Sequence, residues 1–234
     1  MAELMDRVPQ NPEFKFLGIG SVISKETEMP VDGVRRTSLV LESNEEVAEG
    51  YEPNRVRVFF RGPAAVEAAK FENGQVVAVE GGLTGQIRTD KGGMERAFPT
   101  VTGRKIQEVD DPDEPQGFAF QARGIVAREP SYSESQKGTA ISKVILERSY
   151  NGFLGPQASD IEIAAFRTSA MVVRETQPGQ EIYVEGAVRS RTYQTADGQT
   201  RWTTDLLARD AVVLDTPQAQ VGQKAPQTGV EATV

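Results

Sequence analysis

The sequence predicts an all-β protein built from two copies of a five-stranded barrel, each copy with one short helix. Three observations predict it. Long stretches alternate apolar and polar residues, the period of a strand with one buried face. Gly, Pro, Asn and Asp clusters punctuate those stretches at turn-like intervals. Landmarks also recur at a near-constant offset of 105–106: Gly18-Ile19 and Gly124-Ile125, Phe60-Arg61 and Phe166-Arg167, Val79-Glu80-Gly81 and Val184-Glu185-Gly186. That period is far longer than a solenoid repeat, so each copy is a whole domain.

Five units result: an N-terminal extension over 1–13, a first barrel over 14–109, an acidic linker over 110–116, a second barrel over 117–215 and a tail over 216–234. The linker contains Asp110-Asp111-Pro112-Asp113-Glu114-Pro115, and the tail is rich in Gln, Pro, Gly, Thr and Ala, a composition that favours disorder.

In the first copy, strands are expected over Phe14–Lys25, Val34–Glu42 and Asn54–Arg61. Gly62-Pro63 opens a helix through Lys70, with Pro suited to its first turn. Gln75–Arg88 and Arg96–Gln107 close the unit around the turn Lys91-Gly92-Gly93. The second copy repeats the order: Gly117–Arg128, Thr139–Tyr150, a Gly/Pro loop over Asn151–Ala158, then Asp160–Phe166. Thr168-Ser169 caps a helix to Glu175, and Gln180–Gln194 returns after Asp197-Gly198 through Leu214. Five strands with one helix between the third and fourth is the order of an OB-fold, a small partly open barrel that binds oligonucleotides.

Composition narrows the chemistry. The 234 residues include no cysteine and no histidine. Disulfides, thiolate zinc sites, cysteine nucleophiles and Ser-His-Asp catalysis are therefore excluded. No catalytic residue, metal ligand or cofactor site is assigned, and the protein is not expected to be an enzyme; Glu45, Glu46, Glu49 and Glu52 read as a solvated acidic loop. No run approaches the roughly 20 apolar residues of a membrane span. Met1–Pro12 lacks the apolar core of a signal peptide, so the expected location is the cytoplasm, nucleoid-associated. Net charge is −8, yet 117–214 carries 11 basic and 11 acidic residues and 14–109 carries 13 and 14. Each barrel is near neutral, and a locally basic face remains compatible with a polyanion.

Alternation selects the candidate binding residues. In Gln180–Gln194, Ile182, Val184 and Val188 share one face; Arg189, Arg191 and Tyr193 share the other. Phe166 lies opposite Ile161 and Ile163 and so points out of the barrel as a platform for a base. Arg128, Lys143, Arg167, Arg189 and Arg191 are the candidate phosphate contacts. Tyr150, Phe153 and Trp202 suit stacking or packing equally. Tyr193 also suits cross-strand packing, and Phe166 a subunit contact. In the first copy Arg55, Arg57, Phe59 and Arg61 share one face, although its acidic loop would repel phosphates. There the alternation selects Phe59, whereas the repeat alignment selects Phe60.

The second half resembles the bacterial single-stranded DNA-binding protein family (SSB). The residues are Gly124-Ile125-Val126-Ala127-Arg128-Glu129-Pro130, Gly138-Thr139-Ala140-Ile141-Ser142, Ala165-Phe166-Arg167, Pro178–Gly186, and Arg189-Ser190-Arg191-Thr192-Tyr193 with Asp197-Gly198-Gln199 and Thr203-Thr204. The first half matches more weakly, through Gly18, Phe60-Arg61 and Val79-Glu80-Gly81-Gly82-Leu83. Tandem OB-folds in one chain are similar to SSBs of the Deinococcus–Thermus type, which implies a homodimer presenting four folds. The resemblance implies stacking on Phe166 and Tyr193; the family's aromatic at the start of the third strand falls near Asp160 here. The end, Thr228–Val234, is not the acidic tip with a Pro-Phe pair that the family uses to recruit enzymes, so recruitment by that route is not expected. A phage or plasmid origin would fit. The function expected is sequence-tolerant binding of single-stranded DNA in replication, recombination and repair. The alternative is an OB-fold interaction subunit of such a complex.

Overall fold

The computed structural model describes residues 2–5, 7–30, 33–44, 53–89, 95–111, 114–152, 155–194, 198 and 200–214. A short helix α1 (Ala2–Met5) precedes β1 (Glu13–Glu28), β2 (Arg36–Glu42), β3 (Arg55–Arg61), α2 (Pro63–Ala68), β4 (Val76–Thr89) and β5 (Glu95–Glu108). Then follow β6 (Gly117–Val126), β7 (Ser131–Glu134), β8 (Ala140–Gly152), β9 (Gly155–Phe166), α3 (Thr168–Arg174), β10 (Glu181–Gln194) and β11 (Thr200–Val213). Strands β1-β2-β3-β5-β4 close on β1, and β6-β8-β9-β11-β10 close on β6. In each barrel the third and fifth strands pair in parallel and every other pairing is antiparallel. These are two OB-fold barrels, each with one helix between its third and fourth strands.

Several elements differ from the sequence expectation. Strand β7 extends the second barrel's sheet by pairing with β8. The expected loop over Asn151–Ala158 is instead a hairpin, with β8 and β9 paired as far as Gly152 and Gly155. A ladder needs only main-chain groups, so a Gly/Pro-bearing stretch without alternation can still pair. Helix α2 stops at Ala68 and α3 at Arg174. The N-cap of α3 is Arg167, not Thr168 or Ser169, and no side chain caps it.

The repeat is real in space but its register is not constant in sequence. Val22 N–H donates to Gln75 O and, equivalently, Val126 N–H to Gln180 O. Gly20 packs on the carbonyl of Glu42, and Gly124 on that of Glu147; a Cβ at either would crowd that oxygen at 2.8–2.9 Å. The first strands are therefore offset by 104. Gly62 and Arg167 start their helices with similar positive φ, 60° and 55°, at an offset of 105. The counterpart of Gly124 is Gly20 rather than Gly18, and that of Phe166 is Arg61 rather than Phe60.

The two barrels meet through β1 and β6, which pair antiparallel with Phe16 opposite Phe120. Phe14 faces Ala122 and Gly18 faces Phe118, as a local two-fold requires. Phe14, Phe16 and Phe120 are buried, and one apolar cluster runs through both barrels.

The N-terminal extension is not merely a polar leader. Leu4 and Val8 pack on Tyr183, Val212 and Leu214. The Arg123 guanidinium donates to the carbonyls of Pro9 and Gln10 and pairs with Glu181 at 2.9 Å. Burial, helped by a 3.0 Å bond donated to Glu185, raises the Tyr183 hydroxyl pKa well above the ordinary phenol.

Each long hairpin crosses to the other barrel. Past Gly82, β4 loses its partner β1, and past Ala187, β10 loses β6, so each leaves an open edge. Side chains from the opposite barrel satisfy those edges. Ser190 N–H donates to Asn54 Oδ1 at 3.2 Å while Asn54 Nδ2 donates to Val188 O at 2.9 Å. Symmetrically, Gly85 N–H donates to Ser159 Oγ at 3.0 Å. The backbone approach there is so close that a Cβ on Gly85 would strike the carbonyl of Asp160. Burial raises the Asp160 carboxyl pKa, and Arg128 opposes the shift.

Asn54→Ala should cost about 1–3 kcal/mol in urea unfolding, since two main-chain groups lose their partner. A carboxyl whose pKa rises on folding favours the native state below the ordinary carboxylate range, and that contribution is lost as pH rises through the raised native value. Asp160→Asn should therefore gain stability relative to wild type as pH goes from acid to neutral, read as the difference in urea midpoints.

Candidate nucleic-acid interface

The outer face of the second barrel is set by parity along β9. Ile161, Ile163 and Ala165 fill the interior, and Phe166 stands outside at 38% exposure. Cross-strand register places Ile141 opposite Phe166 and Lys143 opposite Ala164. Phe166 and Lys143 thus line one groove of about 190 Å³ with Thr203, Asp205 and Glu162. Arg167 is exposed next to Phe166 and holds φ 55°, ψ −122°, a conformation that L-residues rarely adopt. Its counterpart Gly62 has no such penalty, so the second barrel stores strain beside its candidate platform.

Nearly every described cation here has a carboxylate near it. Lys143 Nζ lies 3.9 Å from Glu162. Exposed Arg189 stands opposite Asp205 in register, and half-buried Arg128 lies in the field of Asp160. A pair made by an exposed cation is worth only about 0–1 kcal/mol, so Lys143 and Arg189 are restrained weakly.

For Tyr150, Arg191, Tyr193 and Trp202 the description extends to the backbone alone. Tyr150 is in β8, Arg191 and Tyr193 are in β10, and Trp202 is in β11 at the register position of Thr192. Phe153 lies outside the described residues, as do Glu45, Glu46, Glu49 and Glu52.

The first barrel offers the same face with different chemistry. Phe59 is 41% exposed while Phe60 is 1% exposed, in line with alternation and against the repeat alignment. The Arg57 guanidinium lies 5.4 Å from the Phe59 ring centroid, pairs with Glu26 and donates to Ser38 Oγ at 3.2 Å. Arg55 pairs with Glu42 at 2.6 Å. Arg57, Phe59 and Arg61 line a groove of about 460 Å³. Arg36, which sequence reading missed, joins them: strand register sets it opposite Arg61 on one side and Glu28 on the other. Its only sequence signal was Arg35-Arg36, and no periodicity says which strand it will face.

The position where the family resemblance placed an aromatic, near Asp160, is where the β4 backbone docks, so the departure has a packing cause. Taken together, the second barrel presents an outward ring with a neighbouring cation, and the first presents a ring with a guanidinium over it.

The sequence model of the Single-strand binding protein family matches residues 119–214. A single-stranded DNA-binding protein of Bacteroides thetaiotaomicron is 27% identical over 112 residues, which cover 44% of this chain and 70% of that protein. Among solved structures, the wild-type single-stranded DNA binding protein from Thermus aquaticus is similar with a TM-score of 0.66 and 21% identity, over 92% of this chain and 98% of its own. A deletion mutant of the Thermus protein also gives 0.66, at 20% identity over 89% and 98%. At that identity the likeness concerns the fold, and it extends across both barrels. The sequence match to the Single-strand binding protein family thus spans the second barrel, and the likeness in fold spans both.

Proposed function

We propose that the protein binds single-stranded DNA with little sequence preference and shelters it, without a catalytic step. The observation that carries this reading is Phe166: a large ring exposed on the outer face of a barrel whose sequence matches this family. Base–aromatic stacking tolerates any base and is worth about 1–3 kcal/mol each. Tyr193, Tyr150, Phe153 and Trp202 are further candidate platforms. Arg128, Lys143, Arg167, Arg189 and Arg191 meet phosphates, and Arg55, Arg57, Phe59 and Arg61 serve the first barrel. The units are the barrels over 14–109 and 117–215, joined by the acidic linker. The working assembly is a homodimer presenting four barrels, acting in the cytoplasm on DNA exposed during replication, recombination and repair.

The pairs around Arg55 and Arg57 make the first barrel the weaker half. Its cations must leave Glu42 and Glu26 before they reach a phosphate, and Arg57 must leave the Phe59 ring before a base can stack there.

Oligo(dT) should quench the intrinsic fluorescence of the protein, less so as salt rises. Failure to bind in dilute buffer would defeat the reading. Phe166→Ala with Tyr193→Ala should weaken binding by about 2–6 kcal/mol if each ring holds one base. A loss under about half of 1 kcal/mol would deny them that role. Glu26→Gln with Glu42→Gln should tighten binding and steepen log K against log salt by about 1.4, the value for two more phosphate contacts on a single strand. An unchanged slope would mean that Arg55 and Arg57 never meet the backbone.

A further inference from the structure

The groove beside Phe166 is lined from both barrels. Its second ring is Phe98, on β5 of the first barrel, which sequence reading did not select. Phe98 is 42% exposed although its neighbour Ala97 is buried, so the strand turns a large apolar ring outward. The crossing of the hairpin puts it there: β5 contacts β9 and β11 of the second barrel. The same groove is lined by the hydroxyl-bearing Thr203, the carboxylates of Asp205 and Glu162, and Lys143. Two apolar rings and several polar side chains lining one groove suit a flat group that has π-faces and hydrogen-bonding edges. Lys143 suits an anion attached to it.

We propose that Phe98 is a stacking platform shared between the barrels: the groove it forms with Phe166 takes an unpaired nucleobase, with Lys143 on the adjoining phosphate. This rests on the single-stranded DNA reading above and adds a subsite to it. The subsite exists only because the two barrels are locked together, since each contributes one ring. A strand lying on β9 would pass at this point onto the first barrel's hairpin. The site is continuous with the outer face that carries Phe166, and base stacking requires no conserved edge pattern.

The test uses the full chain, labelled oligo(dT) at fixed salt, and anisotropy. The variants are F98A, F98L, F98Y and F166A, each checked by thermal unfolding and by mass in solution. F98L keeps an apolar side chain without a π-face, so it guards against a loss that is only structural. Loss of one stacked base predicts affinity about tenfold weaker for F98A and F98L, with F98Y close to wild type. If F98L binds like wild type while F166A is weakened, the shared platform is wrong and the function stands. If F98A or F98L changes the mass in solution but not the affinity, the groove is a contact between copies and the proposal fails. If wild type does not bind oligo(dT), the function and the subsite fall together.

Discussion

The structure depends on the pairing of β1 with β6 about Phe16 and Phe120. Each barrel is a small unit with an open edge on its first strand, and a single small core stabilises weakly by itself. Joining those two edges satisfies both ladders and merges the cores into one apolar cluster. The local two-fold then fixes everything downstream. It aims each long hairpin at the start of the other barrel's third strand, where Asn54 and Ser159 complete the hairpin edges.

That crossing has a cost and a consequence for the outer face of the second barrel. The docked backbone at Gly85 covers Asp160, a place on β9 that would otherwise face outward. The same hairpin carries Phe98 to the groove of Phe166. The outer face of the second barrel is thus partly hidden and partly extended by the first, and the two halves are not independent modules.

Charge is handled locally. The whole chain is acidic, and Arg55, Arg57 and Lys143 on the two outer faces each have a carboxylate beside them. Weak exposed pairs hold a cation in place without neutralising it irreversibly, because a phosphate can replace the carboxylate at small cost. The asymmetry between barrels follows from the same point: Arg57 already lies over Phe59, whereas Phe166 stands beside the strained backbone of Arg167.

By itself the sequence determined five strands per barrel, the two helices between third and fourth strands, and the outward facing of Phe59, Phe166 and Arg189. These rest on a period-two rule that acts within one strand, which is why alternation placed Phe59 outside and Phe60 inside where the repeat alignment did not. Local rules failed where the ladder alone decides, as in the paired stretch expected as a loop over Asn151–Ala158 and in β7. Only the tertiary structure decided the 104-residue offset of the first strands, the facing of Arg36 and Arg61, the seat of Leu4 and Val8 on Tyr183, and the groove that Phe98 and Phe166 both line. Each of those joins residues far apart in the chain or on different strands, and their proximity is set by register and by the two-fold at Phe16 and Phe120, neither of which leaves a periodic signal in the sequence.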